Sequence, residues 1–204
     1  MQPADARAPA ESTVLVGTIL PTVFAAGVAL LITVLRGNGP RVDLRVYWRA
    51  GDVWTGIKLG CAGLVLTVVA VEVWTKVVGQ ANATSAIGAL EGVDRLSVPA
   101  AIVMFGYTWL LGPICEEIIF RGMCWGAMER LRWGRWAAFV LSTAIFAASH
   151  LEPLRTSLLL VIAIPIGLAR LITGRLTASV IAHMVNNFLP ALTVLLIAVG
   201  VMSP

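Results

Sequence analysis

Five ionisable side chains stand deep in segments of this 204-residue chain that are otherwise apolar: Glu116, Glu117, Arg121 and the only two histidines, His150 and His183. A charged side chain at the centre of a membrane helix costs about 2.5–3.5 kcal/mol on insertion scales. The two carboxylates and the guanidinium therefore need partners and a polar cavity. We treat all five side chains as candidates for acid–base chemistry.

Helix geometry separates the two adjacent carboxylates. Glu117 and Arg121 are four residues apart, so a salt bridge along one helix face is predicted. Glu116 points about 100° away round the helix and stays free for chemistry. A basic turn follows near residues 131–134, and Glu116 lies about as many residues before this turn as His150 lies after it. Antiparallel helices then place Glu116 and His150 at similar depth, where a carboxylate and an imidazole can activate water.

The last apolar segment supplies a second polar face. His183 and Asn187 are four residues apart and project from the same side of a helix. Asn186 is three residues from His183 and is an alternative to Asn187. Two neutral donors presented together are suited to a developing oxyanion. Together with the water-activating pair, they predict hydrolysis of an amide inside a membrane.

The composition indicates a membrane protein. Hydrophobic residues make up 58% of the chain and charged residues 13%, and the mean hydropathy is +0.88. A soluble domain has about 25% charged residues. The pI of about 9.4 comes from basic residues in short loops, a pattern that favours orientation in a bilayer over nucleic-acid binding. The three cysteines, Cys61, Cys115 and Cys124, lie in apolar segments and are predicted to be buried free thiols.

The elements that must position these side chains are predicted to be membrane helices. We expect an all-α, polytopic bundle of about six transmembrane spans, because each needs roughly 20 apolar residues. Pro113 could break the third span and give seven. Residues 1–12 are predicted to be a disordered tail, residues 13–204 a single transmembrane domain, and residues 98–195 its catalytic core. The predicted spans are 13–35, 52–78, 98–128, 134–151, 154–172 and 176–202.

Arginines in alternate loops predict the orientation. Nine lie in one set of loops and three in the other. The rule that cytoplasmic loops are enriched in basic residues assigns the larger set to the cytoplasm and both termini to the outside of a multi-pass protein of the cell membrane. The larger set is Arg36, Arg41, Arg45, Arg49, Arg130, Arg132, Arg135, Arg170 and Arg175, and the smaller set is Arg7, Arg95 and Arg155.

The polar residues also resemble a known family. Glu116-Glu117-x-x-x-Arg121, Phe146-x-x-x-His150 and His183-x-x-x-Asn187 are similar, in order and spacing, to the three motifs of the CPBP family. This family comprises the type II CAAX prenyl endopeptidases and the related Abi-like membrane proteases of bacteriocin processing and immunity. The resemblance covers roughly residues 98–195, the second half of the chain.

The resemblance implies a role for each motif residue. Glu116 would be the general base that activates water, with His150 assisting, and His183 with Asn187 would stabilise the oxyanion. Glu117 and Arg121 would form a supporting ion pair, and Phe146 would pack one turn before His150. No cofactor is favoured, because no HExxH pair is present. A catalytic zinc held by Glu116, His150 and His183, with water as the fourth ligand, remains an alternative.

The expected partners are the lipid bilayer and a peptide or membrane-protein substrate, with no nucleic acid and an undetermined oligomeric state. The small chain, rich in Ala, Val, Gly and Arg, is typical of a prokaryotic member, for which a prenylated substrate is not expected. Two other functions remain open. One is a non-catalytic immunity or scaffold protein of the same fold. The other is a proton-coupled transporter, which is ranked last because the chain has no inverted repeat.

Overall fold

The computed structural model describes residues 11–80, 82–83 and 96–202, and these form helices without any strand. The all-α bundle predicted from the sequence is therefore confirmed. The helices are α1 (Glu11–Leu35), α2 (Pro40–Asp43), α3 (Ala50–Val78), α4 (Val98–Arg130), α5 (Arg135–Ser149), α6 (Thr156–Thr173) and α7 (Leu176–Ala198). Five of them, α1, α3, α4, α6 and α7, are long and apolar enough to cross a membrane, and α5 is a shorter apolar helix.

Pro113 does not break α4. The helix is continuous over 33 residues, so the alternative of seven spans is wrong. Proline disrupts an α-helix because it lacks an N–H group and its ring clashes with the carbonyl four residues earlier. Here the preceding turn, Tyr107–Leu111, is a π-helix, whose wider spacing accommodates the ring.

The start of α1 differs from the predicted boundary. Residues 1–10 of the predicted tail lie outside the described residues, but Glu11 and Ser12 are helical rather than part of a tail. The reason is a contact with the start of α4, where the Glu11 carboxylate accepts hydrogen bonds from the backbone N–H and the hydroxyl of Ser97, both at 2.9 Å. An acidic residue in a first helical turn is also favourable to the helix dipole.

Helix α7 packs against α3, α4 and α6 and so lies at the centre of the bundle. Its contact with α3 depends on glycines. A Cβ atom at Gly56 would lie 2.7 Å from the carbonyl oxygen of Ala178, and one at Gly60 would lie 2.6 Å from the Cβ of Val185. Small residues let membrane helices approach closely where no hydrophobic force drives them together. The position of α7 is thus set from the side opposite the motif residues of α4.

The arginine-bearing loops meet at one end of the bundle. Arg130 pairs with Asp43 at 2.8 Å, which joins the end of α4 to α2, and Arg175 pairs with Asp52 at 2.6 Å, which joins the turn before α7 to α3. Six spans that alternate in direction require these arginine-bearing loops to lie at the same end of the bundle. Of the smaller set of arginines, Arg7 and Arg95 lie outside the described residues. Which side of the membrane this basic end faces stays a prediction.

The three cysteines are all free, as predicted, but they are not all buried. Cys115 is buried, Cys124 is half-buried and Cys61 is exposed. Cys61 follows Gly60 on α3 and points away from the α3–α7 contact, so its thiol lies on the outer surface of an apolar helix.

Candidate active site

The middle of α4 carries the two glutamates on a short α-helical stretch between two π-helices. The α-helical stretch is Gly112–Glu117, and the π-helices are Tyr107–Leu111 and Ile118–Cys124. A π turn contains more residues than an α turn, so each π segment changes the direction in which the following side chains point. The directions of Glu116 and Arg121 relative to the helix ends therefore differ from those of a regular α-helix.

Glu117 and Arg121 form the ion pair that their spacing predicted. The Nη1 atom of Arg121 lies 2.8 Å from the Oε1 atom of Glu117, and both side chains are fully buried. The guanidinium also lies over the ring of Phe146, with Cζ 4.8 Å from the ring centroid. Because removing one member would leave a buried charge without a partner, the pair is a fixed part of the interior.

His183 lies between the two carboxylates. Its Nδ1 atom is 3.0 Å from Glu117 Oε1, and its Nε2 atom is 3.5 Å from Glu116 Oε2. The contact with an ionised acceptor places a hydrogen on Nδ1, so that Nε2 faces Glu116. Sequence reasoning assigned Glu117 to Arg121 alone and did not identify it as the partner of His183. Both contacts cross from α4 to α7, and residue spacing along one helix carries no signal for them.

His150 does not pair with Glu116 as predicted. In the part of the chain that the structure describes, no ion pair within 4 Å joins His150 to a carboxylate, and Glu116 faces His183 instead. His150 follows the last residue of α5, and its ring turns back along that helix, with Nδ1 2.9 Å from the carbonyl oxygen of Phe146. The matched depth of the two helices is therefore not sufficient, because the direction of each side chain also decides which groups meet.

Phe146 joins the polar groups into one cluster. Its ring centroid lies 4.8 Å from that of His150 and 5.8 Å from that of His183, both in edge-on contact. A third aromatic ring, that of Phe120 on α4, packs edge-on against it at 5.3 Å. Phe146 is the packing residue that the motif resemblance implied. It separates His150 from the ion pair and lies against both.

The two adjacent asparagines of α7 have different partners. Asn186 is buried, and its Oδ1 atom accepts a hydrogen bond from the hydroxyl of Thr67 on α3 at 3.2 Å. Asn187 is half-buried and donates from Nδ2 to the carbonyl oxygen of Thr108 on α4, also at 3.2 Å. Asn187 is thus the asparagine on the α4 side of α7, one turn beyond His183. Thr108 lies in the first π-helix, and sequence reasoning did not single it out.

Exposure divides the cluster into an interior part and an accessible part. Glu117 and Arg121 are fully buried and His183 is 3% exposed, whereas the side chain of Glu116 is 22% exposed. His150 and Asn187 are also half-buried. A reacting molecule can therefore approach Glu116, while the groups behind it hold its neighbour His183 in place.

The arrangement contains two of the three candidate zinc ligands side by side. Glu116 and His183 are adjacent, and the bond from His183 to Glu117 is of the kind that orients metal-bound histidines. The third candidate, His150, is turned toward its own helix. Over residues 11–80, 82–83 and 96–202, no three His, Cys, Asp or Glu side chains come together as a metal site. The geometry thus offers an incomplete ligand set for zinc.

Comparison with known proteins agrees with the motifs. Residues 98–189 match the family model described as type II CAAX prenyl endopeptidase Rce1-like, and this segment contains α4, α5, α6 and the part of α7 that carries His183 and Asn187. No curated protein and no solved structure matches the chain. With five long apolar helices, the chain is a multi-pass membrane protein. Over residues 98–189, slightly less than half of its length, it is similar to the family of type II CAAX prenyl endopeptidases.

Proposed function

We propose that this protein is an endopeptidase that hydrolyses a peptide bond of a membrane-associated peptide or protein, with Glu116 as the general base. The observation that carries the proposal is the chain of contacts in which Arg121 holds Glu117, Glu117 holds His183, and His183 faces Glu116. This order leaves one accessible carboxylate next to an imidazole whose orientation is fixed. Such a pair is suited to moving a proton to and from a reacting group.

Charge balance supports one shared proton between Glu116 and His183. The charges of Glu117 and Arg121 cancel, so the remaining charge of the cluster is that of Glu116 and His183. An ionised carboxylate and the bare Nε2 lone pair would repel each other at 3.5 Å. One proton held between Oε2 and Nε2 removes this repulsion and leaves the cluster neutral, which a site at membrane depth favours.

In the proposed reaction, a water molecule beside Glu116 attacks the carbonyl carbon of the scissile peptide bond. As the new C–O bond forms, Glu116 accepts a proton from the water and the carbonyl oxygen becomes an oxyanion. Glu116 then gives the proton to the amide nitrogen as the C–N bond breaks, and the products are a carboxylic acid and an amine. Each carboxylate and amine then takes its ordinary protonation state in water.

The oxyanion would be stabilised from α7. When the shared proton lies on His183, its Nε2–H group can donate a hydrogen bond to the oxyanion without transferring the proton. Asn187 has two N–H groups, of which one bonds to Thr108. Removal of one oxyanion donor costs an enzyme about 10²–10³ in turnover. His150 would assist at the accessible side, where its Nε2 atom can accept a hydrogen bond from the water while Nδ1 bonds to Phe146.

The proposed substrate is a peptide or the tail of a membrane protein that reaches the site from the bilayer. We further propose that the basic end of the bundle faces the cytoplasm and that both termini lie outside, because cytoplasmic loops are enriched in arginine. A prokaryotic cell membrane is the expected location.

The decisive experiment compares Glu116→Gln with Glu72→Gln. Both remove one carboxylate from a membrane helix, but Glu72 is 67% exposed and pairs with Lys76 on its own helix. Peptides are quantified in membranes that contain equal amounts of the wild-type protein or either variant. We expect Glu116→Gln to lower formation of the cleaved peptides by about 10²-fold or more and Glu72→Gln to leave it unchanged. If all three membranes give the same peptides, the protein acts as a non-catalytic immunity or scaffold protein.

Metal removal tests the zinc alternative. The purified protein is dialysed against a strong chelator until its zinc content, measured by mass spectrometry, is below one tenth of the protein concentration. We expect turnover of the peptide identified above to be unchanged, because Glu116 and His183 act without a metal in the proposed reaction. Loss of turnover that is restored by added zinc would contradict this mechanism and would assign Glu116 and His183 as ligands.

A further inference from the structure

A cavity surrounded by arginines lies at the basic end of the bundle, away from the motif residues. It is open to the outside, has a volume of about 730 Å³, and is bounded by α2 with the loop that follows it, the start of α5 and the turn between α6 and α7. Among the residues that the structure describes, its lining includes no acidic residue and five arginines: Arg41, Arg45, Arg49, Arg135 and Arg175. Such a concentration of positive charge around one cavity fits an anion with several oxygen atoms.

Only part of this charge is balanced by the protein. Arg45 pairs with Glu129 and Arg175 with Asp52, and the hydrogen bonds that Arg175 donates to the Asp52 carboxylate raise the pKa of Arg175 above its ordinary value. Within the described part of the chain, Arg41, Arg49 and Arg135 form no ion pair. Arg135 bonds to the backbone carbonyl of Leu171, and Arg41 lies over the ring of Tyr47. Three guanidinium groups therefore face the cavity without a carboxylate partner.

The walls of the cavity are held by backbone contacts. Arg45 adopts a left-handed conformation, with φ of 54°, which turns its carbonyl oxygen toward the start of α7. This oxygen accepts a hydrogen bond from the backbone N–H of Leu176 at 3.2 Å, and the carbonyl oxygen of Tyr47 accepts one from the hydroxyl of Thr177 at 2.8 Å. The loop between α2 and α3 is thus fixed against α7, so the cavity exists before any ligand binds.

A second cavity adjoins the first and is apolar. It has a volume of about 270 Å³ and is lined by residues of α1, α4 and α7, including Leu30, Ile114, Ile118 and Val180. Trp48 lines both cavities and is 78% exposed. Tryptophan is enriched where the apolar and polar layers of a membrane meet. A charged compartment and an apolar compartment therefore meet at a residue typical of the membrane interface.

We propose that the two cavities together bind one anionic phospholipid. The phosphate lies among Arg41, Arg49 and Arg135, and an acyl chain enters the apolar cavity past Trp48. The acyl chain reaches Ile114 and Ile118, so the lipid covers the face of α4 that flanks the two glutamates. The site is independent of the proposed proteolysis, and its test needs no substrate.

The test uses native mass spectrometry of the full chain in a neutral detergent. Phosphatidylglycerol is titrated against phosphatidylcholine and against inorganic phosphate. The variant R41Q/R49Q removes two cavity charges that hold no ion pair, and the matched control R36Q/R132Q removes two charges from the same end of the bundle outside this cavity. V46W places a large ring at the wall of the apolar cavity.

We expect one retained phosphatidylglycerol per chain and weaker retention of phosphatidylcholine. R41Q/R49Q should weaken phosphatidylglycerol binding roughly thirtyfold, since each arginine near an anionic lipid contributes about fivefold. R36Q/R132Q should change it by less than about threefold, and V46W should weaken lipid binding without changing that of phosphate. Equal losses in the two double variants would overturn the proposal in favour of general surface attraction. Phosphate that binds as tightly as the lipid would overturn it in favour of a site for free anions.

Discussion

Two carboxylate–cation pairs in this protein have the same spacing and opposite surroundings. Glu72 and Lys76 on α3, like Glu117 and Arg121 on α4, are four residues apart and in contact, at 2.9 Å and 2.8 Å. The side chains of the first pair are 67% and 73% exposed, and those of the second are fully buried. Spacing alone therefore predicts that a pair forms, but not what the pair does.

The difference lies in what surrounds each pair. An exposed pair adds about 0–1 kcal/mol to stability because water or lipid headgroups satisfy either charge alone. The buried pair has lost that solvation, and its carboxylate also holds His183. The buried pair on α4 therefore contributes both to stability and to the position of His183, whereas the pair on α3 is exposed at the helix surface.

The largest expected effect separates the two pairs directly. We expect Glu117→Gln to lower the free energy of unfolding by about 3–5 kcal/mol, because it leaves the guanidinium of Arg121 buried without a counter-charge. Glu72→Gln should change it by less than about 1 kcal/mol. Denaturant unfolding of both variants in the same detergent measures this. Equal destabilisation of the two variants would mean that burial does not distinguish the pairs.

A somewhat smaller effect is expected from the neighbouring asparagines, which repeat the contrast between an interior and an accessible position. Asn187→Ala should lower turnover about 10²–10³-fold, if it provides an oxyanion donor. Asn186→Ala removes the hydrogen bond to Thr67 and should mainly lower stability, by about 0.6–1.7 kcal/mol. Turnover and thermal unfolding are measured for both variants. A larger loss of turnover in Asn186→Ala than in Asn187→Ala would reverse the assignment.

The smallest effect extends the comparison to glycines. Gly60→Ala should lower the free energy of unfolding by about 1–3 kcal/mol, because its Cβ would overlap Val185 on α7. Gly17→Ala, on α1, meets no atom within 4 Å and should be neutral or stabilising, since alanine is the better helix former. Thermal unfolding of both variants checks this. If Gly17→Ala destabilises the protein as much as Gly60→Ala, the close approach of α7 does not explain why position 60 is a glycine.

The helices were more predictable than the contacts between them. Apolar length and arginine-rich loops placed the ends of α3, α4 and α6 within about two residues, because hydrophobic thickness constrains a span directly. The pair of Glu117 with Arg121 was also predictable, since both lie on one helix. Helix α1 also begins within two residues of its predicted start, and the two additional residues are helical because Glu11 bonds to Ser97, 86 residues away.

The partners of the histidines were not predictable for a related reason. Which atoms of α4 and α7 meet depends on the direction of each side chain, and the two π-helices of α4 alter that direction. A regular α-helix predicted from the sequence pairs Glu116 with His150. In the structure Glu116 contacts His183 instead, and only the relative positions of the helices decide between these two partners.

One consequence follows from the unequal lengths of the helices that form the hairpin of the site. Helix α5 has 15 residues, which corresponds to about 22 Å, whereas the hydrocarbon layer of a bilayer is about 30 Å thick. Helix α4, with 33 residues, exceeds that thickness. A bilayer that thins beside α5 to match it would bring the aqueous phase close to His150 at its end. For the proposed peptidase, membrane thickness would then control how water and an extended polypeptide reach the site, and thicker membranes should slow their entry.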